Sequence, residues 1–106
     1  MQIRQSLGMV SRKEPFGLTN DEKAEALVAI TPWRKRYEVW QAPKHLYLVD
    51  KAINDDGRNS IYEITDKFVI AINEPNEHKA KETVAVILRT LERVVARKKI
   101  YGKETT

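Results

Sequence analysis

Cysteine is absent from this 106-residue chain, and so is any long apolar run. Without cysteine there is no disulfide framework and no thiolate chemistry, which agrees with a reducing, cytoplasmic location. No apolar run approaches the roughly 18 residues of a membrane-spanning helix. The first residues contain neither the apolar segment nor the small-residue cleavage site of a secretory signal. We therefore expect a protein of the cytoplasm that has no contact with the membrane.

Histidine and glycine are scarce, and the motifs that depend on them are missing. The only two histidines, His45 and His78, have no recognised zinc-ligand spacing. The four glycines form neither a phosphate-binding loop nor a nucleophile elbow. The sequence thus predicts no cofactor, no metal and no enzymatic activity.

A cluster of acidic residues leaves one remote catalytic alternative. Asp50, Asp55 and Asp56 could meet Glu63 on a hairpin and hold magnesium for phosphodiester chemistry. Asp55 and Asp56 adjoin Gly57, however, and aspartate is common in such turns for conformational reasons alone. A metal-dependent nuclease is therefore retained only as the remote alternative.

The long apolar stripe near the C-terminus is the strongest secondary-structure signal. Apolar residues recur there at steps of three and four, which places them on one side of an α-helix. Pro75 suits the first helical turn, and Gly102 suits the stop. The stripe consists of Val84, Ile87, Leu88, Leu91, Val94 and Val95.

Alternating apolar residues before this helix indicate β-strands. Residues 61–64 and 68–72 read as two strands joined by the short turn 65–67. Residues 37–41 read as another strand, while 45–53 fit strand or helix and favour strand because a turn cluster follows them. We expect the helix residues Val84, Leu88, Leu91 and Val95 to be buried against Ile61, Ile64, Phe68, Ile70 and Trp40.

A capping box begins a shorter helix at Thr19-Asn20-Asp21-Glu22. Ala24, Leu27, Val28 and Thr31 would share one face of it, and Pro32 would end it near Ile30. Residues 1–18 read as an arm, either docked or flexible, followed by a single domain over 19–102 and a tail over 103–106. The expected fold is α+β: a short N-terminal helix, an antiparallel meander of about four strands, and a long C-terminal amphipathic helix on one sheet face.

Positive charge is concentrated in two zones of a chain with a formal net charge of +4. Three basic residues lie between Trp33 and Tyr37 in the first zone, 33–36 with its neighbour Tyr37, and arginines step by four along the helix in the second, 89–99. Such surfaces can grip phosphates and stack bases, although a charge run is more often a solvated helix face with cations that complement the C-terminal end of the helix dipole. The candidate binding residues are Trp33, Arg34, Arg36, Tyr37, Arg89, Arg93 and Arg97.

Several short motifs together resemble small uncharacterised bacteriophage-encoded accessory proteins. They are Pro32-Trp33-Arg34, Ile61-Tyr62, Val69-Ile70-Ala71, Asn73-Glu74-Pro75 and the helix from Ala80 to Leu91. The resemblance covers about half of the chain. The sequence departs from the pattern of these proteins in the arm and over 43–60. It implies a small accessory protein of mobile-element origin, with no catalytic residue and no ligand.

The expected function is stoichiometric binding of a protein partner, as an accessory protein or inhibitor. The pairs Val69 with Ala71 and Tyr47 with Val49 supply more apolar surface than one helix can cover, so we also expect a homodimer. The alternative is a nucleic-acid-binding module that uses the two basic zones.

Overall fold

Five strands and two helices make up the computed structural model, which describes residues 10–11, 15–28, 30, 37–42 and 45–104. None of the helices in these ranges is both long and apolar enough to cross a membrane. In chain order the elements are β1 (Val10–Ser11), α1 (Asn20–Val28), β2 (Tyr37–Gln41), β3 (Leu46–Ile53), β4 (Asn59–Ile64), β5 (Phe68–Ile72) and α2 (Glu77–Glu104).

The sheet is antiparallel throughout and has the order β1-β5-β4-β3-β2. Strands β2 to β5 therefore form the expected meander, and the α+β fold is confirmed. Residues 46–53 form a strand, which settles that ambiguity. The short β1 pairs with β5 at the far edge, so the described part of the arm docks on the domain.

The two turns of the second half follow from local hydrogen bonding. In the β4–β5 turn, the Thr65 amide donates to the Phe68 carbonyl at 2.9 Å, and the Phe68 amide donates to the Thr65 hydroxyl at 3.0 Å. The hairpin predicted at 65–67 is thereby confirmed. The β3–β4 turn instead uses Gly57 at a φ of 76°, a conformation that costs glycine little.

Helix α1 begins with the predicted capping box. The Thr19 amide donates to Glu22 Oε1 at 2.8 Å, and the Glu22 amide donates to the Thr19 hydroxyl at 3.1 Å. The predicted inner face was right for Leu27, which is fully buried, and for Ala24, which packs against the core. It was wrong for Val28, which is exposed, and it omitted the buried Lys23, while Thr31 lies outside the described residues. A lysine on the inner face hid the true repeat, which is Lys23, Ala26, Leu27 and Ile30.

Helix α2 is capped by Asn76, whose side-chain oxygen accepts from the Lys79 amide at 2.9 Å. Pro75 therefore precedes the helix instead of occupying its first turn. The helix also passes through Gly102 to Glu104, which shortens the predicted tail. Glycine in a helix costs about 1 kcal/mol relative to alanine, so it weakens a helix without having to end it.

Both helices pack on one face of the sheet, here called the covered face. Its strand residues include Leu46 and Leu48 from β3, Tyr62 and Ile64 from β4, and Val69 from β5. The helices contribute Ala26, Leu27, Val84, Ile87, Leu91 and Val95 to the same cluster, with Leu88 partly buried beside it.

The predicted packing partners were right for Ile64 and wrong for Trp40 and Phe68, which are exposed. Ile61 and Ile70 also lie on the other side of the sheet. Since side chains alternate along a strand, Ile61 and Ile64, three residues apart, cannot share a face. The register pairs Ile64 with Val69, and this assigns Val69 and Ala71 to the covered face.

Candidate interaction surfaces

The sheet surface opposite the helices is the first candidate site and is here called the open face. It carries bulky apolar side chains, of which Trp40 is 53% exposed and Phe68 is 37% exposed. Tyr47, Ile61 and Ile70 are partly exposed on the same face. Strand alternation and register assign the following residues of β2 to β5 to it: Glu38, Trp40, Tyr47, Val49, Lys51, Ile61, Glu63, Phe68, Ile70 and Ile72. Among them Val49 is only 2% exposed.

The charged groups of the open face are already matched within the chain. Lys51 Nζ lies 3.1 Å from Glu38 Oε2, and the Trp40 indole donates to Glu38 Oε1 at 3.0 Å. The indole hydrogen bond, followed by that of Lys51, lowers the pKa of Glu38. Glu63 Oε2 lies 3.0 Å from His45 Nδ1. The face therefore presents apolar surface with few unmatched charges.

A shallow depression of about 430 Å³ borders this face at the β4–β5 turn. It is wide open to solvent, and its lining combines the ring of Phe68 with His45 and the turn residues 65–67. A site for a small molecule usually encloses most of its ligand. The depression lacks such walls and reads as an extension of the open face.

A buried polar cluster lies under the N-terminal end of α2, on the covered face. Asp50 is 1% exposed, and its Oδ2 accepts from Lys79 Nζ at 2.9 Å. The Glu74 side chain is 2% exposed, and its Oε1 accepts from the Tyr62 hydroxyl at 3.0 Å and lies 3.9 Å from Lys79 Nζ. One ammonium thus stands between two buried carboxylates and fixes α2 to β3.

The protonation states of this cluster are strongly biased. Burial raises the pKa of the Tyr62 phenol, and nearby Tyr37 and Glu74 push it in the same direction. Burial alone would lower the pKa of Lys79, but the hydrogen bond that Lys79 donates to Asp50 and the surrounding negative charge raise it overall. At neutral pH the Lys79 side chain is therefore held as an ammonium and the Tyr62 phenol as its neutral form. A lysine held as an ammonium is a poor nucleophile and a poor base.

Two hydroxyls near the cluster, those of Tyr37 and Thr83, are buried, and neither lies within hydrogen-bonding geometry of a partner in the described parts of the chain. The ring of Tyr37 lies 6.3 Å from that of Tyr62, centroid to centroid. Tyr37 is 4% exposed, so its ring is not accessible for stacking on a base. This corrects the expectation of an accessible aromatic platform at that position.

The arginines of the second basic zone lie on the solvent side of α2. Arg89, Arg93 and Arg97 are all exposed, and none forms an ion pair with another described residue. Four residues of helix advance about 6 Å, so the three guanidinium groups follow the helix axis at regular steps. Lys98 lies at the surface beside α1 instead, and its Nζ donates to Glu22 Oε1 and to the Gly17 carbonyl, each at 3.0 Å.

Trp33, Arg34 and Arg36 lie outside the described residues, so the first basic zone has no structural account. The proposed acidic metal cluster is not formed. Asp50 lies on the covered face with Lys79, Glu63 lies on the open face with His45, and Asp55 and Asp56 are exposed in the turn. Over the described parts of the chain, no group of three or more His, Asp or Glu side chains is placed to hold a metal ion.

Sequence reasoning missed both the position of Trp40 and the Asp50–Lys79 pair. A signal for the second existed, since Asp50 takes the next core-facing position after Leu46 and Leu48 in the same strand. Its partner lies 29 residues away and could not be read from spacing. The chain matches no protein-family model, and neither a curated protein nor a solved structure is significantly similar to it.

Proposed function

We propose that this chain is a non-catalytic binding protein that engages a protein partner through the open face of its sheet. The observation that carries the proposal is the exposure of bulky apolar side chains, led by Trp40, on the side away from both helices. A sheet that buries only one face normally places polar residues on the other. Apolar residues in their place are typical of a contact surface.

The chemistry of the face favours protein over nucleic acid. Tyrosine, tryptophan and phenylalanine are enriched at the centres of protein interfaces, and isoleucine packs well between them. Glu38 and Glu63 would repel a phosphate backbone, and Lys51 is already paired with Glu38. The partner should therefore be largely uncharged where it meets this face.

A binding role without catalysis is supported by the state of the buried polar cluster. Its lysine is held as an ammonium between Asp50 and Glu74, and its tyrosine is held neutral. These groups join α2 to the sheet and so stabilise the platform that presents the open face. An accessory protein or inhibitor that acts stoichiometrically, as the resemblance to phage-encoded proteins implies, needs no more than such a platform.

The experiment is affinity capture from cells in which the gene is native, using wild type and two variants. Trp40→Lys changes the open face, whereas Val28→Lys adds the same charge at a position on α1 that is 55% exposed. We expect a partner that wild type and Val28→Lys retain and Trp40→Lys loses. Equal recovery with all three proteins would show that the open face is not the binding surface.

Nucleic-acid binding is the second candidate, and the exposed arginines of α2 favour it. Their side chains project to solvent without carboxylate partners among the described residues, so they are available to phosphates. If they bind duplex DNA, the logarithm of the association constant should fall linearly with the logarithm of the salt concentration, with a slope of about −0.9 per phosphate neutralised. An Arg89→Ala/Arg93→Ala/Arg97→Ala variant should flatten that slope, and no duplex binding at low salt would exclude this candidate.

A further inference from the structure

We infer that the open face is occupied by a second copy of this chain, in a two-fold dimer that stacks the two sheets face to face. The inference rests on the proposed function, because it names the partner of the same surface. A homodimer of this kind is isologous, so a single patch must be complementary to itself. The charges, the arrangement of side chains and the area of the open face all meet that requirement.

The open face carries fewer unpaired charges than the net charge of the chain would suggest. The whole chain carries a formal net charge of +4, so most contacts between two copies would be repulsive. The open face has two glutamates and one lysine: Glu38 is paired with Lys51 at 3.1 Å, and Glu63 Oε2 lies 3.0 Å from His45 Nδ1, which balances its charge only when the imidazole is protonated. Two copies can therefore meet here with both carboxylates already held by a partner in their own chain, which limits the cost of burying them.

The register of the sheet supplies the second argument. Trp40 pairs with Tyr47, Tyr47 with Glu63, and Glu63 with Ile70, so these four residues form one row across the sheet. The large aromatic ring stands at the β2 end of the row and the aliphatic residue at the β5 end. A two-fold axis parallel to the strands and between β3 and β4 reverses this order in the second copy.

With that axis, Trp40 of one copy lies over Ile70 of its partner, and Tyr47 lies over Glu63. In the adjacent row of Glu38, Val49, Ile61 and Ile72, the same axis places Glu38 over Ile72 and Val49 over Ile61. Val49 is only 2% exposed within one chain, so this row adds less contact than the first. Stacked sheets lie about 10 Å apart, a distance that side chains from both faces fill together. The widest side chain of the face thus meets an aliphatic side chain, and the tyrosine hydroxyl meets a carboxylate.

The available area predicts the strength of the dimer. Aromatic side chains present on the order of 150–250 Å² when fully exposed, so Trp40 and Phe68 at their observed exposures offer roughly 200 Å². Tyr47, Ile61 and Ile70 are only partly exposed and add smaller areas. The pair therefore buries no more than the roughly 1,200 Å² at the low end of specific interfaces, and we expect a weak dimer that forms at micromolar concentrations.

Sedimentation velocity between about 2 and 500 μM tests this directly. The mass of the wild type should rise from the 12.3 kDa of the monomer toward twice that value, with a midpoint in the micromolar range. Trp40→Lys should remain at 12.3 kDa, and Val28→Lys should follow the wild type. Circular dichroism shows whether each variant is folded. A wild type that stays monomeric throughout, or a folded Trp40→Lys that still dimerises, would overturn the inference.

The natural absence of cysteine allows the geometry to be tested separately. Glu63→Cys places a thiol near the proposed axis, so a bifunctional maleimide with a span of about 10 Å should join two copies. Lys81→Cys, on the exposed side of α2, should not be joined at the same protein concentration. Crosslinking through Lys81→Cys but not through Glu63→Cys would show that the copies meet through their helices, contrary to the inference.

The two proposals can fail independently. If wild type is monomeric but a different protein is captured in a Trp40-dependent manner, the proposed function stands and the second copy is the wrong partner. If neither self-association nor capture depends on Trp40, the open face does not bind protein and both proposals fail.

Discussion

The two faces of the sheet differ in which side chains they carry, and the polar groups are not where a sheet with one covered face would normally place them. The covered face, which packs against both helices, contains a buried aspartate, two buried tyrosines and a buried serine at one end. The open face instead displays tryptophan, phenylalanine and three isoleucines. Polar groups are thus buried where the helices hold them, and large apolar groups are left at the surface.

The two faces are therefore stabilised in different ways. At one end of the covered face, Lys79 and the hydroxyl of Tyr62 satisfy the carboxylates of Asp50 and Glu74, and the remainder is a conventional apolar core. On the open face, Trp40 and Phe68 remain exposed to solvent, although Val49 is buried. Stability should therefore depend on the covered face and association on the open face.

The largest expected effect comes from making a cavity on the covered side. Leu91 is fully buried in α2, so Leu91→Ala should lower the free energy of unfolding by about 2–5 kcal/mol. Ile70→Ala, on the open face, should cost less than about 1 kcal/mol when the protein is measured as a monomer. Urea denaturation at low protein concentration makes the comparison, and equal losses for the two variants would contradict the assignment of faces.

The next effect concerns the buried ion pair of the covered face. Lys79→Met would leave Asp50 buried without its cation, and we expect a loss of about 2–3 kcal/mol, less than for a fully buried pair because Lys79 is 27% exposed. Adding Asp50→Asn to that variant should recover part of the loss. A double-mutant cycle measures the coupling, and a coupling near zero would mean that the pair does not hold α2 to β3.

Local elements of the fold could be predicted from the sequence, whereas the side of the sheet on which a residue lies could not. The positions of β2 and β5, the hairpin at 65–67 and the capping box at Thr19 were predicted correctly, because each is encoded by residues close together in the chain. The choice of face was not. Residues 68–72 are apolar at every position, so alternation alone could not tell which side met the helices.

The buried cluster was hidden for a related reason. Its members come from β3, β4, the segment before α2 and α2 itself, and only the sheet register brings them together. Asp50 could have been flagged as a polar residue at a core-facing position, but nothing near it names Lys79 as the partner. The proposed dimer surface was similarly anticipated only in part, since Tyr47 and Val49 lie on the open face while Val69 and Ala71 do not.

A third prediction concerns the stability of the covered face in alkali, which depends on the phenol of Tyr62. Tyr62 has a raised pKa when folded, whereas in the unfolded chain it ionises at about 10.0. Above that pH the unfolded state releases a proton that the folded state keeps, so stability should fall as pH rises, by up to about 1.4 kcal/mol per pH unit.

The raised pKa of Lys79 acts in the same direction, since its stabilising charge is complete below 10.5 and is lost as the pH passes the folded value. Denaturant titrations between pH 8 and 12 measure the trend, and Tyr62→Phe should make the decline shallower. Absorbance at 295 nm should show one tyrosine ionising only as the protein unfolds. Complete ionisation of all tyrosines in the folded protein would contradict the burial of Tyr62.

The smallest predicted effect is a gain of stability at Lys23, the inner-face residue of α1. Its residue surface is only 3% exposed, and burial lowers its pKa despite the opposing influence of Asp66. A lowered lysine pKa means that protonation costs stability, so this cost is present at pH 7 and disappears as pH rises toward 10.5.

Lys23→Met keeps the packing of the aliphatic stem and removes the charge, and it should stabilise the protein by about 1 kcal/mol at pH 7. Asp66 is exposed to solvent and loses little when its neighbour is neutral. Urea denaturation at pH 7 and at pH 10 provides the measurement, with Lys81→Met on the exposed side of α2 as the matched control. The gain should be larger at pH 7 than at pH 10 and absent from the control, whereas a loss at pH 7 would mean that the ammonium of Lys23 stabilises the covered face.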